Sequence, residues 1–143
     1  MMIHFYSENI EIPDFDQEEI SSWIRRIASL HGKRAGKINY IFCDDAKILA
    51  VNNQYLQHDY YTDIITFDYS SGMYISGDIF ISADTVKSNA EKLGIDFYSE
   101  LYRVIIHGIL HLCGYDDKTP DKEKEMRERE NEALERLVTG NKS

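Results

Sequence analysis

The sequence predicts an α+β domain: one mixed sheet of about four strands packed against about five helices, with a metal site at the end of a buried helix. Three observations carry this. Short stretches with period-2 alternation and longer stretches with a 3.6-residue apolar stripe follow one another as strand-helix-strand-helix-strand-strand and then three helices. No repeat, low-complexity linker or shift of composition divides the 143 residues, so 1–143 read as a single domain. One helix near the C-terminal end is apolar on nearly all sides, and its single narrow polar stripe carries two histidines.

Each element follows from local pattern. Met2 to Ser7 forms a short first strand. Asp16 is placed to cap the first helix, with Glu19 three residues on as its capping-box partner. That helix carries Ile20, Trp23, Ile24, Ile27 and Leu30 on one side and stops at Gly32. Lys37 to Cys43 is a strand with Ile38, Tyr40 and Phe42 pointing one way. Asp44 or Asp45 caps a second helix whose inward stripe is Ile48, Leu49, Asn52, Tyr55 and Leu56. The pattern breaks over His58 to Thr62. Asp63 to Tyr69 and Tyr74 to Ser82 are strands that pair as neighbours or as a hairpin around Ser70-Ser71-Gly72. Ala83 to Leu93 is a helix ended by Gly94, and the histidine helix follows from about Ser99 to Cys113. A last helix opens with Thr119 as cap and Pro120 at its first position. Its packing edge is Met126, Ala133, Leu134, Leu137 and Val138.

Composition bounds the function. The hydrophobic content is 43% and the charged content 29%, ordinary for a globular domain. No apolar run is long enough to cross a bilayer, and Met1 to Asn9 lacks the basic and apolar regions of a secretion signal. Two cysteines without an export signal point to a reduced, cytoplasmic home, with Cys43 and Cys113 as buried thiols, although sequence alone leaves a bond between them open. A net charge of −9 and a pI near 4.9 argue against indiscriminate binding of nucleic acid, which is driven by phosphate neutralisation. They leave room for a local basic patch, and the cluster Arg25, Arg26, Lys33, Arg34 and Lys37 reads as a solvated helix end and loop.

The histidine helix is the informative stretch. With each residue about 100° further around the axis, Leu101, Val104, Ile105, Gly108, Ile109 and Leu112 share one broad face, and Ile106 and Leu110 lie opposite. What remains is Glu100, Arg103, His107 and His111, then Gly114. Two imidazoles at i and i+4, a glycine where the chain can reverse, and carboxylates straight after it form a three-ligand metal site with an open position. The bland alternative, two histidines satisfied by backbone carbonyls, explains neither the pair nor the sequel. In H-x-x-x-H-x-x-G-x-x-H sites the third ligand follows the glycine by three residues, which here reaches Asp117. Asp116 then points elsewhere, to orient a ligand or cap the next segment. Cys113 falls off the stripe and reads as structural. Zinc peptidases carry a glutamate after the first histidine as general base, and Gly108 occupies that place, so a peptidase lacks its base.

At His107-Gly-Ile-Leu-His111-Leu-Cys-Gly-Tyr-Asp-Asp117 the chain resembles the YbeY family of metal-dependent endoribonucleases, whose motif is H-G-x-L-H-L-x-G-Y-D-H. Val51 to Phe67 is similar to the family segment L-N-x-x-Y-R-x-x-D-x-P-T-D-V-L-S-F. Gly77-Asp78-Ile79 matches its G-D-I, and Met126 and Glu130 resemble a methionine and glutamate of its last helix. The resemblance implies a zinc enzyme, one metal per chain, that cuts single-stranded RNA. It acts in maturation of the 3′ end of small-subunit ribosomal RNA and in ribosome quality control, in the cytoplasm and with the small ribosomal subunit as partner. Two departures stand out. Asp117 replaces the third metal histidine, which keeps a legitimate zinc ligand but makes manganese or a similar metal more competitive. Leu56 stands where the family has an arginine, the natural clamp for phosphate; His58 and Arg103 are the candidates to supply a donor instead. Asp63 and Asp78 are candidate partners for a ligand histidine, against a plainer role at strand ends. The competing functions are a metal-stabilised ribosome-assembly factor that binds without cutting and, further off, a metzincin-like peptidase.

Overall fold

The structure, a computed structural model, describes residues 3–56 and 62–142, with the side chains of all of these except 56 and 138–142. The elements run β1 (Ile3–Ser7), α1 (Gln17–Leu30), β2 (Arg34–Cys43), α2 (Asp45–Leu56), β3 (Ile64–Asp68), β4 (Tyr74–Ser82), α3 (Ala83–Leu93), α4 (Phe97–Leu112) and α5 (Pro120–Lys142). The strands form one sheet in the order β1-β2-β4-β3. β1, β2 and β4 are parallel, and β3 pairs antiparallel with β4 as the outer arm of a hairpin. The sheet is therefore mixed, and the domain is α+β as the periodicities predict.

The registers explain the two-sided burial. Alternate residues Ile38, Tyr40 and Phe42 on β2 and Ile75, Ile79 and Ile81 on β4 are buried on one face. α1 lays Ile20, Trp23, Ile24 and Ile27 on this core, and α4 fills its centre with Leu101, Ile105, Ile109 and Leu112. The opposite face holds a smaller core of Cys43, Ile48, Val51 and Ile65 under α2. Two buried polar groups lock the layers. The Tyr40 hydroxyl donates to the Ile105 carbonyl at 2.9 Å, tying β2 to α4, and the Trp23 indole donates to the Ala133 carbonyl at 2.8 Å, tying α1 to α5. Such aromatic donors bury large apolar area while satisfying their one polar atom.

Three helix starts follow the predicted caps: Asp16 accepts from the Glu19 amide, Asp44 from the Lys47 amide and Thr119 from the Lys122 amide. α3 is capped by Ser82, the last residue of β4, which accepts from the Thr85 amide. Four expectations are corrected. β2 begins at Arg34, because pairing of Arg34 and Ala35 with Tyr74 and Ile75 extends the ladder past a bulge. β3 is trimmed at both ends to Ile64–Asp68, the length over which β4 partners it. α4 begins at Phe97, since Asp96 caps it by accepting from the Tyr98 amide. On α2, Val51 is buried, whereas Tyr55 is 61% exposed, with its ring edge-on to Phe67. Cys43 and Cys113 are both free thiols, and burial pushes them up to about 12 and about 11, too high for either to be a nucleophile near neutrality.

Candidate metal centre

α4 is walled in by α1, α3, α5, β3 and β4, and its polar stripe opens on a cleft of about 990 Å³ between β3, α4 and the first half of α5. His107, His111 and Asp117 all line this cleft, as do Asp63, Glu100 and Glu130. The neighbouring face of α4 is closed. A Cβ at Gly108 would meet the Ile79 and Ile64 side chains at 3.1–3.3 Å, so the sheet packs against bare backbone. The position at which a zinc peptidase carries its base thus points into the core, away from the cleft.

The end of α4 is built to turn the chain back. Gly114 has φ +110, a conformation open to glycine and strained for other residues. Its amide bonds to the His111 carbonyl, and the Tyr115 amide reaches back to the Leu110 carbonyl, the paired pattern of a Schellman motif. Tyr115 is then pinned by its hydroxyl, 3.0 Å from Nδ1 of His31 at the end of α1. This reversal brings Asp117 over the helix, with Oδ2 3.7 Å from Nε2 of His107. Asp116 does point elsewhere: it accepts from the Lys118 amide and pairs with Lys122, bracing the entry to α5.

His107 is held from behind. Its Nδ1 lies 2.7 Å from Oε2 of Glu130, whose Oε1 accepts from Arg103 at 2.9 Å; the second Arg103 nitrogen donates to Asn131 at 2.8 Å. Burial raises the Glu130 carboxyl, but the hydrogen bonds and charges of His107 and Arg103 outweigh it and keep the group below its usual range. An ionised carboxylate only accepts, so His107 carries its proton on Nδ1 and turns Nε2 to the cleft. Burial likewise opposes charge on His107, and the Glu130 bond with the charges of Glu130, Asp117 and Asp63 overcomes it and raises its pKa.

This donor set fits a divalent metal. Two imidazoles on adjacent turns and one carboxylate suit zinc, and an outer carboxylate on the far nitrogen is the usual device for orienting a ligand histidine. Among the described residues no three side chains already stand at mutual metal-ligand distances. At 3.7 Å, Nε2 of His107 and Oδ2 of Asp117 are too far apart for a hydrogen bond, and a small adjustment of either side chain would let both face one ion.

The remaining predicted residues divide. His58 lies outside the described residues, and the Leu56 side chain does as well. Arg103 pairs with Glu130 and Asn131 rather than with Glu100, so it braces the His107 support and its guanidinium is not free to clamp phosphate. Asp78 accepts from Asn39 at 3.0 Å and does not line the cleft. Asp63 lines it, and burial raises its carboxyl despite the opposing charge of His107. Glu100 is 7% exposed, with Oε1 lacking a partner among the described residues; burial and then the charge of Asp63 raise it. Glu130 was legible in the sequence only as a family likeness. A direct signal exists: it falls between Met126 and Ala133 as the one charged residue, among the described residues, on the packing edge of α5.

The sequence profile of the family described as endoribonuclease YbeY matches residues 2–138. A protein named endoribonuclease YbeY from Parabacteroides distasonis is 58% identical over 94% of this chain and 94% of its own length. Its namesake from Bacteroides thetaiotaomicron is 56% identical over 94% and 98%. Among solved structures, the solution structure of TM1509 from Thermotoga maritima superposes with a TM-score of 0.69 at 26% identity, covering 99% of this chain and 92% of that one.

Proposed function

This chain belongs to the endoribonuclease YbeY family, and on that premise we propose that it is a metal-dependent endoribonuclease acting on single-stranded ribosomal RNA. The biological setting that goes with this reading is maturation of the small-subunit 3′ end and ribosome quality control, in the cytoplasm and in association with the small subunit. Among the described residues, no helix is long and apolar enough to cross a membrane. The observation that carries the reading is the convergence of His107, His111 and Asp117 on one cleft, with His107 fixed by Glu130 so that Nε2 faces inward.

His107, His111 and Asp117 would hold zinc, or manganese in its place. Such an ion, when bound, supplies a Lewis acid for the phosphoryl group and makes an attacking water more acidic. The protein contributes the rest. Glu130 fixes the ring of His107 in one tautomer, and Arg103 fixes Glu130. In this reading a single strand would lie in the cleft between β3 and α5, past His107, His111 and Asp117. Gly108 supplies no base and no room for one, which argues against peptide hydrolysis.

Alanine replacements of His107, His111 and Asp117 test this. Each should lose bound zinc and the cleavage of a single-stranded fragment of ribosomal RNA that the wild type cuts. Variants that cut like the wild type would sink the assignment. Wild-type protein that binds small subunits but cuts no RNA with zinc or manganese would favour a non-cutting assembly factor, a reading motivated by Leu56 and Asp117.

A further inference from the structure

The cleft presents a problem for a polyanionic substrate. Its charged lining consists of Asp63, Glu100, Asp117, Glu123 and Glu130 against Arg103, Lys124 and Arg127, in a chain of net charge −9. A metal would offset part of the interior acidity, yet the flanking phosphates of a bound strand would still meet carboxylates. Phosphate binding needs cations that are not already neutralised.

Three of the cations on α4 and α5 are spent. Arg103 is forked between Glu130 and Asn131, Lys122 is tied to Asp116, and Arg129 is bracketed by Glu125 and Glu132. Lys124 and Arg127 differ. Both line the cleft and are exposed, and neither has an ion pair or hydrogen bond among the described residues. They are three residues apart on α5, so their side chains are neighbours on one side of the helix. Arg127 lines the same cleft as Glu100, so it is on the cleft side of α5. Met126, between them in sequence, is 2% exposed and anchors this turn of the helix in the core.

We propose that Lys124 and Arg127 form a two-cation subsite that grips consecutive phosphates of a single RNA strand at the mouth of the cleft and presents a neighbouring linkage to His107, His111 and Asp117. This rests on the reading of the chain as an RNA-cutting enzyme. The two residues are substrate-binding groups that act on the backbone, so the subsite is indifferent to base sequence.

The test compares the zinc-loaded wild type with the Lys124→Ala/Arg127→Ala double variant on a fluorescent single-stranded RNA oligonucleotide. Binding is followed by anisotropy across a salt series, and cleavage by initial rates. Each phosphate contact on a single strand contributes about 0.7 to the slope of log affinity against log salt, so the double variant should lose about 1.4. Its KM should rise about tenfold, as expected for two lost charge-assisted contacts, with kcat close to wild type. The charge-preserving Lys124→Arg/Arg127→Lys variant should restore the slope, and Lys87→Ala on α3 should leave it unchanged. An unchanged slope and KM in the double variant overturn the subsite while leaving the enzyme reading intact. A collapse of kcat with the slope unaltered also overturns it. A wild type that neither binds nor cuts the oligonucleotide overturns subsite and enzyme reading together.

Discussion

His107 is gripped by a carboxylate where a backbone carbonyl would have satisfied it, and that choice decides which nitrogen faces the cleft. The 2.7 Å bond to Glu130 is part of a relay that ends at Arg103 and Asn131. Removing the charge from Glu130 leaves a side chain of the same shape that holds the imidazole more weakly and deprives Arg103 of its ion-pair partner. Glu130→Gln should therefore bind zinc about 10- to 100-fold more weakly, as losses of such outer carboxylates typically do. Competition with a chromophoric chelator measures this directly. Affinity equal to wild type would mean that the bond to Glu130 does not orient the ligand.

At the scale of the element, α4 combines two demands that seldom meet in one helix. It is buried on nearly every side, which excludes polar residues from most positions, and it must still offer a polar stripe to the cleft. Gly108 meets the first demand by letting Ile79 and Ile64 approach the helix backbone. Gly114 meets the second by ending the helix in a conformation that sends Tyr115 to His31 and Asp117 over His107. Nothing lies within 4 Å of where a Cβ at Gly114 would project, so a substitution there is a test of backbone strain alone. Gly114→Ala should cost about 1–3 kcal/mol in chemical denaturation. It should also weaken metal binding by displacing Asp117. Wild-type stability would show that the φ of +110 is not required.

Across the whole molecule, the charge balance of the cleft is visible in the dependence of stability on pH. Glu100 is buried among Asp63 and Glu130, and its pKa is raised above the ordinary glutamate value of 4.5, chiefly by burial. The fold therefore prefers Glu100 protonated. Stability from this group is fully present below pH 4.5, its unfolded value, and is lost as pH rises through the higher folded value. Glu100→Gln removes the charge that the fold resists, so the variant should melt above wild type at pH 7. The gap should close as pH falls towards 4.5 and below. Thermal melts across that range check it, and a lower Tm for the variant at pH 7 would mean that the ionised carboxylate is stabilising in place.

The sequence by itself determined the α+β class, most element boundaries to within a few residues, the buried character of α4 and the identity of its polar stripe. These are properties of local periodicity, capping and turn chemistry, and each is written in neighbouring residues. It also carried the likeness to the family, because that rests on contiguous motifs. Tertiary structure decided what the stripe meets. Asp16 and Thr119 were legible as caps, but the partner of Arg103 was not: Glu100 lies three residues away on the same helix, and Glu130 wins from 27 positions along the chain. Side-chain pairing across elements depends on how α5 crosses α4, and no local pattern encodes that crossing. For the same reason Lys124 and Arg127 looked like two more charges on a heavily charged helix until the fold placed them at the rim of the cleft with no acidic partner among the described residues.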